Sequence, residues 1–438
     1  MEHLVIDKQK VRYKMKEINI KSQNELAKVM GITKNELSLI MSDKFDPIKK
    51  NINLLCSILD VNFTDIIKDA VQEEMDLYRL PIQGKKVNKK PDELLDVQHD
   101  TIVAKRNYNV LELFAGAGGL ALGLENAGFN TVGLVEIDKY CCRTLKINRP
   151  NWNVIAEDIV KVVEKGIRNY IGNVDIDLLS GGYPCQSFSY AGKKMGLNDT
   201  RGTMFYYYAE ILRQVRPKMF LAENVKGLVS HDDGKTLKTM IEVFRQIGYN
   251  IKYKVLNAVN YGVSQKRQRV VIIGIRNDLV NIKFKYPKPF DFIPTLKDAL
   301  KNVPFSEGAR YPEKKRKVLS MVPAGQYWKS LPDKIARDYM GKSYFSGGGR
   351  TGMARRISWD EPCLTLTCSP AQKQTERCHP DEVRPFTVRE YARIQSFPDS
   401  WNFYGSLGQQ YKQIGNAVPV KFARVIGLCI VNVLNMLH

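Results

Sequence analysis

The sequence has few residues of the kinds that bind metals or form disulfide frameworks. It contains five histidines and eight cysteines, and no two cysteines form a CxxC pair. Cys363, Cys368, Cys378 and His379 lie near one another, but their spacing is not that of a zinc site. We therefore expect no metal. A disulfide framework is also not expected in a chain of 438 residues without a secretory leader.

Long apolar segments are also missing. The chain has no uninterrupted apolar run of about 18 residues, the length needed to cross a bilayer. It has no basic N-terminal leader with a small-residue cleavage site. We expect a cytoplasmic protein of bacterial, nucleoid-associated type, and neither a membrane protein nor a secreted one.

Acidic residues are scarce relative to basic ones. Lys and Arg number 67 against 46 Asp and Glu, which gives a formal net charge of +21. Residues 281–384 hold 20 Lys/Arg and 11 Asp/Glu, so this segment alone carries an excess of +9. Such an excess can be a solvated face, but here basic residues alternate with aromatics and glycines. A polyanion, most simply nucleic acid, is the partner we expect for this segment.

Residues 1–71 have the pattern of a small helical domain. Ser22 and Glu25 form one capping-box pattern, and Thr33 and Glu36 form a second after a turn at Gly31. The paired helices resemble those of the Cro/C1-type helix-turn-helix domain. The resemblance implies that the second helix enters the DNA groove with Lys34, Asn35 and Ser38. The alternative is a helical bundle used for packing or dimerisation.

Residues 72–107 are polar and predict a linker. From residue 108 onward, short apolar runs alternate with helical stretches, which predicts an α/β domain with a mostly parallel sheet. We expect the catalytic domain at residues 108–280, a small basic lobe at 281–384, and a C-terminal part at 385–438 that completes the catalytic domain. Its last helix is expected to start at Gly415 and Asn416.

A glycine-rich turn follows the first apolar run, at "FAGAGG", residues 114–119. Glycines there let a ligand approach the backbone, although they also serve tight turns. Glu136 ends the second run, where a carboxylate can accept both hydroxyl protons of a ribose. Asp158 follows the third run. This arrangement suits S-adenosyl-L-methionine at least as well as a dinucleotide.

Cys185 follows a proline and two glycines in "SGGYPCQSFS". It could be an inert core thiol, a metal ligand or a nucleophile. The loop follows an apolar run, and open α/β sheets bind ligands at the carboxyl ends of their strands. This position favours the nucleophile, with no histidine nearby to activate it.

Two further motifs place charged groups beside strands. Glu223 follows the run "MFLA", where an apolar pocket could keep its carboxyl protonated near neutral pH. Its alternative is a surface acid. Arg267 and Arg269 alternate just before "VVIIG", so both could face one anion or carbonyl. Their alternative is a solvated strand edge.

Taken in order, these motifs closely resemble those of the DNA cytosine-5 methyltransferases, over about residues 108–280 and 385–438. The matching stretches are "ELFAGAGGL", "YPCQSFS", "AENV", "QKRQR" and "QIGNAVP". The departures are Glu112 in place of the usual aspartate, Ser264 in place of a frequent proline, and Ala417 in place of a common serine.

The resemblance implies a role for each matching residue. Cys185 attacks C6 of a cytosine flipped out of double-stranded DNA, Glu223 engages N3, and Arg269 holds O2. Arg267 and Gln265 support the loop and backbone. The cofactor residues are Phe114, Gly116, Gly118, Gly119, Glu136, Ile137, Asp158, Ile159, Pro184 and Asn416. The DNA-binding residues of the catalytic part are Gln186, Ser189, Arg201 and Gln265, while Gln372, Gln374 and Arg377 are candidates for reading base edges.

These expectations amount to a restriction-modification methylase that acts as a monomer on DNA. Its helix-turn-helix would dimerise on an operator and repress a gene, or add grip on DNA. Two alternatives are an RNA cytosine-5 methyltransferase of the same fold and a DNA-binding regulator with a vestigial catalytic half.

Overall fold

The computed structural model describes residues 8–20, 22–40, 55–61, 93–99, 102–184, 203–279, 282–345 and 351–437. The chain divides into two compact units, Met1–Lys89 and Lys90–His438. The finer domain limits given above stay a prediction.

The first unit is helical throughout its described part. Helices α1 (Lys8–Glu17), α2 (Gln23–Val29) and α3 (Lys34–Ile40) are followed by helical residues 55–59. The Ser22 hydroxyl accepts a hydrogen bond from the Glu25 N–H at 3.2 Å. Thr33 and Glu36 cap each other reciprocally, at 2.7 and 3.2 Å. These caps satisfy N–H groups that the helices leave free, and they confirm the sequence pattern. Pro47, where the sequence predicts a further helix start, lies outside the described residues.

A seven-stranded sheet forms the centre of the second unit. Its strands are β1 (Tyr108–Leu113), β2 (Phe129–Val135), β3 (Val154–Ile155), β4 (Leu178–Gly181), β5 (Met219–Val225), β6 (Tyr249–Asn257) and β8 (Gln268–Arg276), in the order β3-β2-β1-β4-β5-β8-β6. All neighbours from β3 to β5 are parallel, whereas β8 is antiparallel to both β5 and β6. The predicted mostly parallel sheet is confirmed.

Helices cover both faces of this sheet, which is why its central strands are continuous apolar runs. One face packs against α4 (Gly119–Glu125) and the C-terminal helix, and the other against α6 (Ile159–Lys165), α8 (Met204–Val215) and α9 (Lys235–Ile247). Two more helices, α5 (Lys139–Asn148) and α7 (Arg168–Ile171), lie in the crossovers. The ligand-binding edge is therefore the carboxyl end of the parallel strands.

The C-terminal segment forms two helices rather than one. Helix α14 (Leu407–Asn416) ends where the sequence predicted a start, and α15 (Val420–Asn435) begins after Pro419. Proline is favoured at a helix start because it has no backbone N–H to bond. The stretch Leu407–Asn435 has the length and mean hydropathy of a membrane span, but 83% of its most apolar window is buried in the protein. It is a core element of the second unit.

Small residues let α15 pack closely on α4. A Cβ atom at Gly123 would lie 2.4 Å from the Ala423 Cβ, and one at Gly427 would lie 2.7 Å from the Ala127 Cβ. Both distances are below any real contact, so larger residues would separate the helices. This packing brings the segment just before α15 next to the turn that starts α4.

The segment after β8 first completes the catalytic core and then forms a small lobe. Phe284 and Tyr286 are buried in the core of the sheet, although the sequence assigned them to the basic lobe. Val97, expected in the linker, is buried in the same core.

The lobe proper, which we call the small lobe (residues 311–383), has its own apolar core. That core includes Tyr311, Leu319, Leu331 and Ala354. The remaining elements of the second unit are α10 (Leu296–Leu300), α11 (Glu313–Ser320), α12 (Asp333–Met340), α13 (Val388–Ile394), and the short parallel pair β7 (Gln265–Lys266) and β9 (Cys363–Leu364).

Candidate active site

The turn between β1 and α4 has an unusual backbone. Phe114, Gly116 and Gly118 have φ values of 57°, 54° and 83°, in the left-handed region that glycine tolerates best. A Cβ atom at Gly116 would meet nothing within 4 Å, so its backbone borders open space. By contrast, a Cβ at Gly119 would lie 2.3 Å from the Val418 carbonyl oxygen. Gly116 thus borders open space, whereas Gly119 serves packing against the C-terminal segment.

Glu136 closes this turn from the end of β2. Its Oε2 accepts the Gly116 N–H and its Oε1 accepts the Asp138 N–H, both at 2.7 Å. Burial raises the pKa of this carboxyl. Each carboxylate oxygen has a further lone pair, so the group can still accept hydrogen bonds from the hydroxyl groups of a ligand. The adjacent Ile137 side chain is 69% exposed and offers an apolar surface at the same edge.

Asp158 and Ile159 begin α6 after β3. The Asp158 carboxylate caps the helix by accepting the Val160 N–H at 2.9 Å, and Ile159 is buried. Pro184, which is exposed, follows β4 at the same edge of the sheet. The ends of β1, β2, β3 and β4 therefore bring the predicted cofactor residues to one edge.

Asn416 reaches this region from the end of α14. Its side chain is exposed and its Oδ1 accepts the Cys368 S–H at 2.8 Å. The close contact between Gly119 and Val418 fixes the segment that follows it.

Glu223 and Arg269 form a nearly buried ion pair between β5 and β8. Arg269 Nε lies 2.8 Å from Glu223 Oε1, and each side chain is 12% exposed. Burial raises the pKa of Glu223, and the positive charges of Arg269 and Arg267 act in the opposite direction. A Cβ atom at Gly182 would lie 3.0 Å from Glu223 Oε2, so the loop after β4 passes directly beside this carboxyl.

Arg267 supports the backbone and is not open to a substrate. It is 2% exposed and donates to the carbonyl oxygens of Leu366 at 3.3 Å and Gly415 at 3.0 Å. Burial lowers the pKa of its guanidinium. The expectation that both arginines face one ligand is therefore wrong in part, because Arg269 alone reaches Glu223 while Arg267 connects two loops.

A cavity of about 510 Å³ lies beside Arg269. Cationic and amide side chains surround it, and the ammonium of Lys226 donates to Gln268 Oε1 at 3.0 Å. Such a lining suits an anion and a polar ring. The residues that line it are Val225, Lys226, Gly227, Asn257, Lys266, Gln268, Arg269 and Thr365.

Several predicted residues lie outside the part of the chain that the structure describes. They are Cys185, Gln186, Ser189 and Arg201.

Two residues predicted to bind DNA have buried side chains. Gln265 is 0% exposed and bonds with Gln395 and the Leu366 N–H. Arg377 is 6% exposed and donates to the carbonyl oxygens of Glu376 at 2.7 Å and Thr365 at 3.1 Å. Both residues hold the segment around Leu366 in place rather than reach a base.

Other predicted DNA contacts are available at the surface. Gln372 and Gln374 are exposed on the small lobe. On α3 of the first unit, Leu37 and Ile40 are buried, whereas Lys34, Asn35 and Ser38 are exposed.

Sequence reasoning missed residues that act through hydrogen bonds to distant segments. Asn224 is 4% exposed and donates to the Tyr183 carbonyl at 2.9 Å, which fixes the loop before Cys185. Its place directly after Glu223 was a usable signal. Gln395 and Thr365 carried none, because Gln395 pairs with Gln265 at a separation of 130 residues and Thr365 with Lys266 at a separation of 99. In the described ranges, no three His, Cys, Asp or Glu side chains come together as metal ligands.

The sheet order, the left-handed turn after β1 and the acid at the end of β2 define a methyltransferase fold. Consistent with this, a crystal structure of a candidate DNA modification methyltransferase encoded within a prophage (Escherichia coli) superposes with a TM-score of 0.56 at 27% identity. It covers 75% of this chain and 100% of that one.

Comparison with known sequences identifies the family. The family model of the C-5 cytosine-specific DNA methylases matches residues 108–432, and that of the Cro/C1-type HTH DNA-binding domain matches residues 10–70. The Type II methyltransferase M.Sau96I of Staphylococcus aureus is 54% identical over 438 residues, 99% of this chain and 100% of that protein. The Type II methyltransferase M.Eco47II of Escherichia coli is 53% identical over 348 residues, 77% of this chain and 82% of that protein.

The chain therefore belongs to the C-5 cytosine-specific DNA methylases. It is an enzyme that transfers a methyl group to C5 of cytosine in DNA, and it carries an N-terminal helix-turn-helix domain.

Proposed function

We propose that the enzyme takes its methyl group from S-adenosyl-L-methionine and methylates one cytosine within a short, specific duplex sequence. The observation that carries this proposal is the buried Glu223–Arg269 pair beside a cationic cavity. A carboxyl and a guanidinium in that arrangement complement the N3 and O2 atoms of cytosine.

The open space beside Gly116 suits S-adenosyl-L-methionine. Its backbone borders open space, Glu136 can accept ribose hydroxyls, and Ile137 can cover the adenine. Asp158, Ile159, Phe114, Pro184 and Asn416 would complete the site. When bound, the cofactor supplies an electrophilic methyl carbon.

The chain's own residues would then make the cytosine ring nucleophilic. The thiolate of Cys185 adds to C6, and Glu223 gives its proton to N3, so the electron pair of the C5–C6 bond becomes available at C5. Arg269 holds O2 and offsets the charge on the ring. After the methyl transfer, N3 returns its proton to Glu223, and loss of the C5 proton to a base restores the C5–C6 double bond and expels Cys185 as a thiolate.

A cytosine inside a duplex cannot present C6 to a thiol, so the base must leave the stack. The cavity lined by Lys226, Lys266 and Thr365 is suited to the flipped nucleotide and its phosphate. We assign Arg201 and the surrounding loop to closure over the base, and Gln372 and Gln374 to readout of neighbouring base pairs.

Bisulfite sequencing of DNA from cells expressing the chain tests this proposal, because it reports reaction, substrate and site together. We expect one short motif to be protected at cytosine, and protection to vanish in Cys185→Ala. The control Cys56→Ala, in the first unit, should keep full protection. Undiminished methylation by Cys185→Ala would remove the assigned nucleophile.

We also propose that the enzyme protects DNA in a restriction-modification system in the bacterial cytoplasm, as the names of its Type II methyltransferase relatives suggest. The catalytic unit would act as a monomer, while the helix-turn-helix would dimerise on an operator and repress a gene of the system. A reporter fused to the promoter upstream of the gene tests this. Lys34→Ala with Asn35→Ala should relieve repression and leave site methylation unchanged. Loss of methylation would instead make the domain part of the catalytic grip.

A further inference from the structure

Two fully buried carboxamides meet beside the short β7–β9 pair. Gln265 on β7 and Gln395, just after α13, are both 0% exposed. The Gln265 Nε2 donates to Gln395 Oε1 at 3.0 Å. Burying two amides is favourable only if their remaining groups are also bonded.

Gln395 connects this pair to the turn that carries Asn416. Its Nε2 donates to the carbonyl oxygen of Ile414 at 2.8 Å and to that of Ala417 at 3.3 Å. These two residues flank Gly415 and Asn416 in sequence. The orientation of one amide group therefore sets the position of the residue proposed to hold the cofactor.

Gln265 connects the pair to the segment that lines the DNA cavity. Its Oε1 accepts the N–H of Leu366 at 3.0 Å, and Thr365 directly before it lines the cavity. The Thr365 hydroxyl also donates to the Lys266 carbonyl at 2.6 Å, so this segment is bound to β7 twice.

A second connection runs parallel to the amide pair. Arg267 donates to the carbonyls of Leu366 and Gly415, and a Cβ at Gly415 would lie 2.5 Å from the Thr367 carbonyl oxygen. The cavity segment and the Asn416 turn are thus packed and hydrogen-bonded together. A shift in either one must displace the other.

We propose that Gln395 is a positioning residue that couples DNA binding at the cavity to methyl-donor binding at Asn416. Only an amide can donate to two carbonyls and accept from Gln265 at the same time. The inference rests on the proposed function, which places the nucleotide at Thr365 and the cofactor at Asn416. By linkage, each ligand must change the affinity of the other by the same factor.

The test compares two variants of the full chain. Gln395→Met removes the amide and keeps its length. Gln413→Met is the matched control, because Gln413 is 3% exposed and joins Thr144 to the Tyr404 carbonyl, at 2.6 and 2.8 Å, away from the cavity segment. Fluorescence anisotropy gives the Kd of a labelled duplex, carrying the site found by bisulfite sequencing, with and without S-adenosylhomocysteine.

We expect S-adenosylhomocysteine to tighten DNA binding by about fivefold or more in the wild type and in Gln413→Met. In Gln395→Met, S-adenosylhomocysteine should change the Kd for DNA by no more than about twofold. The Kd for DNA without S-adenosylhomocysteine should stay unchanged. Calorimetry of S-adenosylhomocysteine with and without DNA should return the same factors. If Gln395→Met does not fold, Gln265→Met, which removes the other amide, takes its place with the same expected loss.

Equal coupling in Gln395→Met and wild type overturns the inference, and so does equal loss in both variants or no coupling in an active wild type. Failure of the proposed function has a different signature, namely no binding of S-adenosylhomocysteine and no methylated motif.

Discussion

The sheet edge and the small lobe are held in shape by different forces. At the sheet edge, the predicted cofactor residues other than Asn416 follow strands whose positions are fixed by parallel backbone pairing and by apolar cores on both faces. The small lobe has short helices and long irregular segments. Buried charged side chains tie these segments together.

Glu376 shows this most clearly. It is 0% exposed, lies 2.7 Å from the Lys315 ammonium, and accepts hydrogen bonds from the Tyr339 hydroxyl and the Ala354 N–H. One carboxylate thus joins α11, α12 and a loop. The sheet edge can tolerate the loss of one side chain, whereas the lobe depends on a few.

The largest expected effect is therefore in the lobe. Glu376→Ala should destabilise it by about 3–5 kcal/mol, because it leaves the Lys315 ammonium without its counter-charge and the Ala354 N–H buried without an acceptor. Hydrogen exchange should rise across the lobe and DNA affinity should fall at least tenfold. S-adenosylhomocysteine affinity should stay within about twofold. Equal exchange gains in the central strands would show that the lobe does not unfold separately.

The second prediction changes the chemistry at the sheet edge and leaves the lobe intact. Glu223→Gln cannot transfer a proton to N3, so kcat should fall about 100-fold or more, as measured by radiolabelled methyl transfer. Binding of DNA and of S-adenosylhomocysteine should change by less than about threefold.

The same variant has a pH signature. Burial raises the pKa of Glu223, so its acid form extends toward neutral pH, and wild-type kcat should decline as rising pH removes that proton. The residual activity of Glu223→Gln should lack this decline. A decline of the same steepness in the variant would assign it to another group.

The third prediction concerns stability at the cofactor turn. Glu112 is 1% exposed, and burial raises its pKa from 4.5 to about 8, with the charge of Glu136 acting in the same direction. The Ser180 hydroxyl and the Ala121 N–H, which bond to it, act the opposite way. Between pH 4.5 and about 8, Glu112 is protonated in the folded state and ionised in the unfolded state. The free energy of unfolding should therefore fall as the pH rises through this range.

The slope is at most about 1.4 kcal/mol per pH unit for one proton. Glu112→Gln has no proton to lose and should show a flatter pH dependence of the urea midpoint between about pH 6 and 8. The exposed Glu164→Gln is the control and should keep the wild-type slope. If Glu112→Gln kept the wild-type slope, the Glu112 carboxyl would not be the group that makes stability fall with rising pH.

The difference between the two regions also explains what the sequence could predict. Strands β1, β2, β4, β5 and β8 each contain a short apolar run. Glu136 directly follows β2, Glu223 follows the run "MFLA" within β5, and Asp158 lies three residues after β3. Once such an apolar run is recognised as a strand, the position of the acidic residue at its end is predicted as well. The break before Pro419 was missed although proline disfavours a helix interior.

The lobe contacts could not be predicted in this way. Arginine often contacts DNA, so Arg377 was predicted to do so. Its side chain is buried instead and donates hydrogen bonds to the carbonyl oxygens of Glu376 and Thr365. Gln265 and Gln395 are 130 residues apart, and neither carries a local sign of the other. Such pairs follow from tertiary packing, which periodicity and motif spacing do not report.

The smallest effect on stability is expected from a methyl group added to the cofactor turn. Gly116→Ala places alanine at a φ of 54° and should cost about 1 kcal/mol, because the new methyl meets no neighbour within 4 Å. The added methyl group projects into the open space beside Gly116, so calorimetry should show that S-adenosylhomocysteine binds at least tenfold more weakly. Gly119→Ala should do the reverse, losing about 1–3 kcal/mol through the Val418 contact, with a smaller change in binding. If the two variants weaken binding equally, Gly116 does not border the cofactor, and the open space beside it has another use.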